Sequence, residues 1–361
     1  MKTAVIGYPR VGTLRELKFA AEKYFEGVIT RAELQETAAR LRETHWQTQK
    51  ENGIDFIPSN DFSFYDNMLD TAVLFNIVPQ RYRELGLDSL DEYFAMARGY
   101  QGARGDVKAL ALKKWFNTNY HYIVPEIEDD TEISLVGTKP FDEFTEAKNL
   151  GIDTKPTIIG AFTFLKLART AGNKPLDDFA AGIIKTYAKL LNKFNLLGAE
   201  WVQFDEPALV MDLTADDISF FNKIYNEILA AKGNIRVLLQ TYFGDIRDCY
   251  QEAVSLPFDG IGLDFIEGKK NLELVKSSGF PADKTLFAGV VNGKNIWRNN
   301  YRLTLDILNE LKKTGAAIVL STSCSLLHVP YTLKNEAALS DGFKKHFAFA
   351  LFLVYYLQYY I

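Results

Sequence analysis

Residues 200–240 read EWVQFDEPALVMDLTADDISFFNKIYNEILAAKGNIRVLLQ, and this stretch decides the fold class. It opens on the apolar run Trp201–Phe204, passes through a segment of helical period at about 215–232, and closes on a second apolar run, Val237–Gln240. Strand, helix and strand in that order make one βαβ unit, the building block of a parallel sheet flanked by helices.

The same cycle recurs on both sides, each turn taking roughly 25 to 45 residues. Toward the C-terminus come Ile261–Asp264, Leu286–Val291 and Ile318–Ser321; toward the N-terminus come Thr157–Ile159, Asp55–Pro58 and Ala4–Ile6, which bring the runs to eight. Helical segments are expected at 178–197, 246–255, 300–314 and 335–350. Thr30 with Glu33 three residues later forms a capping box that opens a further helix ending at Gly53. Eight strands with outer helices predict an α/β TIM (β/α)8 barrel over residues 1–350. Residues 61–155 exceed one βα unit and contain KKWFNTNYHYIVPE, so they are read as a large insertion at the rim between strands 2 and 3. Residues 351–361, LFLVYYLQYYI, form an atypical hydrophobic tail, with Phe347–Ile361 free of charge and Tyr355, Tyr356, Tyr359 and Tyr360 near its end.

With 361 residues, 47% hydrophobic and 24% charged, the chain is long enough to bury a large core. A net charge of -5 and a pI near 5.6 give no global basic field for nucleic acid or an anionic membrane, so neither is an expected partner. Cys249 and Cys324 lie far apart without CxxC spacing, which argues against a disulfide scaffold and points to the reducing cytoplasm. The opening MKTAVIGYPRVG is read as a first strand because it lacks the apolar run of a signal peptide. The tail is shorter than the roughly 20 apolar residues of a membrane span.

Function in such a barrel sits where strands end at the C-terminal face. Tyr8, Pro9 and Arg10 follow the first run, Asn60 and Asp61 the second, and Asp205 and Glu206 the fourth. Thr241, Tyr242, Asp264, Asn292, Ser323 and Cys324 follow later ones. Arg10, Arg15 and Lys18 fall within nine residues, with Arg15 and Lys18 one turn apart at a helix start; they suit an anion, or simply a solvated helix face. Asp205 and Glu206 point to opposite sides of a strand, so a glycoside hydrolase would have to pair Asp205 with Asp264; a carboxylate fixing loop geometry is the plainer reading. Trp115, Phe116, Tyr120 and Tyr122 beside Lys113 and Lys114 suit a stacked ring with an acidic tail, or an aromatic core under the insertion. His45, His121 and His346 read as structural, and Cys324 with His328 lacks companions, so no metal site is expected in this chain.

GYPRVGTLRELK, KWFNTNYHYIVPE, EWVQFDEPAL, LQTYF, NGKNIWR and SCSLLHVP together resemble, in order and spacing, the N-terminal half of cobalamin-independent methionine synthase. The resemblance implies a methyltransferase of methionine biosynthesis. It would carry a methyl group from 5-methyltetrahydropteroyltriglutamate to homocysteine. It also implies a folate-polyglutamate site at Arg15, Glu16, Leu17, Lys18 and Lys114. The zinc that binds homocysteine sulfur is implied to belong to a second, C-terminal barrel. Here Thr241-Tyr242-Phe243 stands where that barrel has His-x-Cys, and Asp264 where it has Glu. Expected partners are therefore the folate polyglutamate and a C-terminal catalytic barrel, with this chain inactive alone. A non-catalytic folate- or partner-binding barrel is the alternative. Departure from the family's charged helix after KKHFAFA suggests a chain cut short or read out of frame, with its tail hidden in a partner or prone to aggregate.

Overall fold

The computed structural model describes residues 1–358. Eight strands run parallel: β1 Lys2–Ala4, β2 Ile57–Ser59, β3 Thr154–Ile159, β4 Trp201–Asp205, β5 Arg236–Gln240, β6 Gly260–Asp264, β7 Thr285–Val291 and β8 Ala317–Thr322. From β2 to β8 each strand pairs with its neighbour in sequence, and β8 returns to β1. A parallel bridge between Ala4 and Phe56 closes the remaining gap, with Phe56 N–H donating to the Thr3 carbonyl at 3.0 Å. All eight apolar runs thus became strands of one barrel.

Alternation along each strand sorts the side chains into layers inside the ring. At the bottom Ala4, Phe56, Trp201, Leu238, Phe287 and Val319 pack together. Two residues further along three of these strands stand Gln203, Gln240 and Ser321, and Lys155 reaches Gln203 from β3, so the next layer is polar. Gly262 makes room there: a Cβ on it would lie 2.2 Å from Gln240 Oε1.

Outside the ring, helix Arg31–Glu51 starts at the expected capping box, with Thr30 Oγ1 accepting from Glu33 N–H at 3.3 Å and Glu33 accepting from Thr30 N–H at 2.7 Å. Between β2 and β3 come helices Asn67–Leu74 and Ser89–Arg98 and an antiparallel ribbon of Leu112–Lys114 with His121–Ile123. Helix Lys139–Asn149 follows and packs on β2 and β3. Leu69, Tyr82, Tyr93, Phe94 and Met96 give this region a core of its own, shared with Ala20 and Leu34 of the first two helices.

The expected helix over 335–350 is broken. A short turn at Leu333–Asn335 and a short helix at Asp341–Lys344 replace it. Ala348 N–H donates to Ile296 at 2.7 Å and Ala350 N–H to Pro330 at 3.0 Å, so this backbone bonds to neighbouring loops and cannot run on as a helix. Helix Ala350–Gln358 then buries Leu353, Val354 and Leu357 in the main core of this same chain. For these residues the expectation of burial in a partner is overturned, because the barrel's own wall takes their apolar surface. Tyr359 and Tyr360 lie outside the described residues. Among the described residues no helix is long and apolar enough to cross a membrane.

Candidate functional site

Two concavities meet at the ribbon Leu112–Ile123. One is the mouth of the barrel, where Ile6, Asp61, Asp66, Thr157, Asp205, Tyr242 and His328 converge under Trp115, Tyr120 and Tyr122. The other is a groove of about 610 Å³ between helix Glu16–Phe25 and the ribbon, lined by Arg10, Lys18, Arg98 and His121 over Leu17, Phe25, Phe64, Phe94 and Leu112.

The mouth is acidic and its carboxylates are tied down. Asp205 accepts from Gln203 Nε2 at 2.6 Å and from the Tyr242 hydroxyl at 3.2 Å. Asp61 accepts from Tyr8 N–H at 2.7 Å. Asp66 caps helix Asn67–Leu74 through Leu69 N–H at 2.9 Å and holds the ribbon through Ile123 N–H at 3.0 Å. Burial pushes the carboxyls of Asp61 and Asp66 up to about 7 despite these donors. It raises Asp205 too, while the Lys155 ammonium opposes the rise, and the same burial lowers Lys155.

Glu206 turns away from Asp205, as strand alternation requires, and accepts from Phe162 N–H at 2.9 Å, Thr163 N–H at 2.7 Å and the Tyr225 hydroxyl. Asp264 accepts from Ile266 and Glu267 N–H at 2.8 and 3.0 Å and from Phe243 N–H at 3.1 Å. It fixes loops and does not line the mouth, so the structure does not bring it together with Asp205 for sugar cleavage.

Zinc does not fit this barrel. Burial holds the Cys324 thiol far above its ordinary value and pushes His328 down to about 4. Among the described residues no three His, Cys, Asp or Glu side chains converge as metal ligands.

Of the residues singled out for an acidic tail, Leu17 and Lys18 line the groove, and Arg15, Glu16 and Lys114 lie outside its lining. Lys18 lines it, half exposed and 3.6 Å from Glu22. Arg15 is the exposed residue preceding that helix, in left-handed backbone with φ 61°. Glu16 accepts from Leu14 N–H at 3.0 Å, and Leu17 packs on Ala38, Leu41 and Phe62, so these two shape the helix start. Lys114 is exposed, opposite His121 in the ribbon and on the same face as the groove-lining Leu112. Arg98, which stacks 3.6 Å above the Phe25 ring, and His121 line the groove as well. Nothing local marks either; a fold is needed to bring residue 98 to residue 25. Of the aromatic cluster, Trp115 and Tyr122 are buried, and with Tyr120 they line the mouth.

Residues 2–316 match the family model described as the cobalamin-independent synthase N-terminal domain. The chain is 56% identical over 351 residues to the 5-methyltetrahydropteroyltriglutamate–homocysteine methyltransferase of Streptococcus thermophilus, covering 97% of this chain and 46% of that protein. It is 53% identical over 350 residues to the protein of the same name from Campylobacter jejuni subsp. doylei. The chain thus spans about half the length of the curated relatives it matches. A vitamin-B12-independent methionine synthase structure from Listeria monocytogenes, a structural-genomics target, superposes over the whole chain and 99% of its own with TM-score 0.65 at 16% identity. At that identity the likeness speaks for the barrel fold alone.

Proposed function

The chain belongs to the cobalamin-independent methionine synthase family, and from that premise we propose that it is the barrel that grips the polyglutamyl tail of the methyl-folate substrate. The groove carries the reading: Arg10, Lys18, Arg98 and His121 border an apolar floor in a protein of net charge -5. Arg15 precedes the helix that carries Lys18, and Lys114 lies two residues from Leu112 and opposite His121 in the ribbon. A chain of glutamates offers carboxylates to the cations and methylene stems to Phe25, Phe64 and Leu112. Each exposed pair contributes little, so several are needed and added salt weakens the grip.

Methyl transfer, homocysteine and zinc are assigned to a second barrel, since the ligands here do not suit the metal. On this reading the chain is a cytoplasmic component of methionine biosynthesis that is inactive alone. Calorimetric titration with triglutamyl and monoglutamyl folate tests it. The triglutamyl form binds more tightly, and Lys18→Ala, Arg15→Ala and Lys114→Ala each erode that preference. Equal affinity for both forms refutes the groove assignment. Turnover by the chain alone refutes the division of labour, and binding without turnover when the second barrel is supplied makes this a stand-alone folate-binding barrel.

A further inference from the structure

The interior of this barrel departs from the packed apolar filling usual for the fold, and the departure leads to the mouth. Lys155, Thr157 and Ile159 alternate onto the inner face of β3, beside Gln203 and Asp205 of β4, with Thr157 paired to Gln203 and Ile159 to Asp205. Thr157 is 4% exposed, lines the mouth cavity, and its hydroxyl has no hydrogen-bond partner. A buried hydroxyl is rarely left so. Around it stand the carboxylates of Asp61 and Asp205 and the rings of Trp115, Tyr122 and Tyr242.

We propose that the barrel mouth is a binding site for a small primary ammonium group, held by the Asp61 and Asp205 carboxylates and the Thr157 hydroxyl beneath an aromatic roof. An ammonium offers three donors, which suits acceptors on three different strand ends. Rings facing a desolvated cation add attraction from their π faces. Size points the same way, because the cavity of about 40 Å³ has room for a group of a few heavy atoms. A metal ion is a poorer fit, since the acidic groups do not converge to coordination distance. Charge agrees. Lys155 faces both Asp61 and Asp205, with Lys139 also acting on Asp61, and burial raises both carboxyls, so a cation seated beside them would favour their charged forms. The site is separate from the tail groove, although Tyr120 lines both.

Methylammonium chloride is the probe, titrated into the whole chain against sodium chloride and tetramethylammonium chloride at matched ionic strength. The expected result is a rise in thermal midpoint with methylammonium beyond that with either control. Thr157→Val keeps the shape and removes only the unpartnered hydroxyl, so it should leave the ligand-free midpoint unchanged or raised while weakening methylammonium binding roughly tenfold. Asp61→Asn should weaken it further. Equal midpoints in all three salts overturn the proposal, as does unchanged affinity in Thr157→Val.

Discussion

The mouth and the groove share Tyr120 and lie on either side of one ribbon, yet they are opposites in charge and in burial. At the mouth the acids are hydrogen-bonded, Asp61 and Asp66 to backbone N–H groups and Asp205 to Gln203 and Tyr242, and burial shifts them upward from their ordinary titration. In the groove Lys18 and Arg98 are exposed, Lys18 with one weak pair to Glu22 at 3.6 Å, whereas Arg10 is half-buried and donates to the Ser63 carbonyl at 2.8 Å and to the Tyr65 carbonyl. Polar groups in the mouth therefore carry fold stability along with any binding role, whereas the exposed Lys18 and Arg98 of the groove carry little of it. Substitutions should separate the two regions cleanly.

Asp66→Ala should have the largest effect. It removes a buried helix cap and the acceptor for Ile123 N–H, and chemical denaturation should show a loss of about 3 kcal/mol. A loss under half of that would mean that water reaches the freed N–H groups and that the mouth is less enclosed than described.

The next effect is one of pH. Asp61 has a folded value raised to about 7 from 3.8, so the folded state binds the extra proton. Its contribution is therefore complete below about pH 4 and is lost as pH rises through about 7. His45 and His328, lowered to about 3 and about 4, work in the opposite sense, losing stability as pH falls below 6.5. Comparing Asp61→Asn with the parent cancels the histidines. The variant should match the parent at acid pH and exceed it by roughly 1–2 kcal/mol above neutrality, a discounted figure because Asp61 keeps some solvent contact. A pH-independent difference would remove the burial argument.

Smaller still is Arg15→Gly, which relieves the left-handed backbone at φ 61° and should add about 0.5–1 kcal/mol of stability while weakening triglutamyl-folate binding. Gain of stability with undiminished binding would free Arg15 from the tail site. Least of all, Lys18→Ala and Lys114→Ala should leave stability within about 0.5 kcal/mol, with affinity falling up to roughly fivefold and the loss shrinking in high salt. A larger stability loss at either lysine would break the contrast between the two regions.

How far the chain could be read differs from place to place. Each apolar run that became a strand was visible because burial on both faces of a parallel sheet demands unbroken apolar residues. The capping box at Thr30 was equally plain, since its partners are three residues apart. Lys155 escaped notice because the third run was read from Thr157 onward, and a lysine inside a barrel has no local signature. Its neighbour Gln203 is 48 positions away. Failure at 335–350 has a similar cause: helical propensity was present, but Ile296 and Pro330 claimed the backbone donors. Apolar Leu353, Val354 and Leu357 looked like a surface in need of a partner until the barrel wall supplied one.

By itself the sequence determined the family, the eight strands and the cations near the N-terminus, because these depend on local pattern and on motifs in fixed order. Only the tertiary structure decided that Asp264 anchors loops while Asp205 faces the mouth, that Arg98 and His121 join Lys18 at one groove, and that an unpartnered Thr157 hydroxyl sits among carboxylates. Those facts depend on which side chains meet across strands and helices distant in the chain. Such meetings are set by barrel closure and by the enclosure that removes water from Asp66 and Asp205 and leaves it around Lys18.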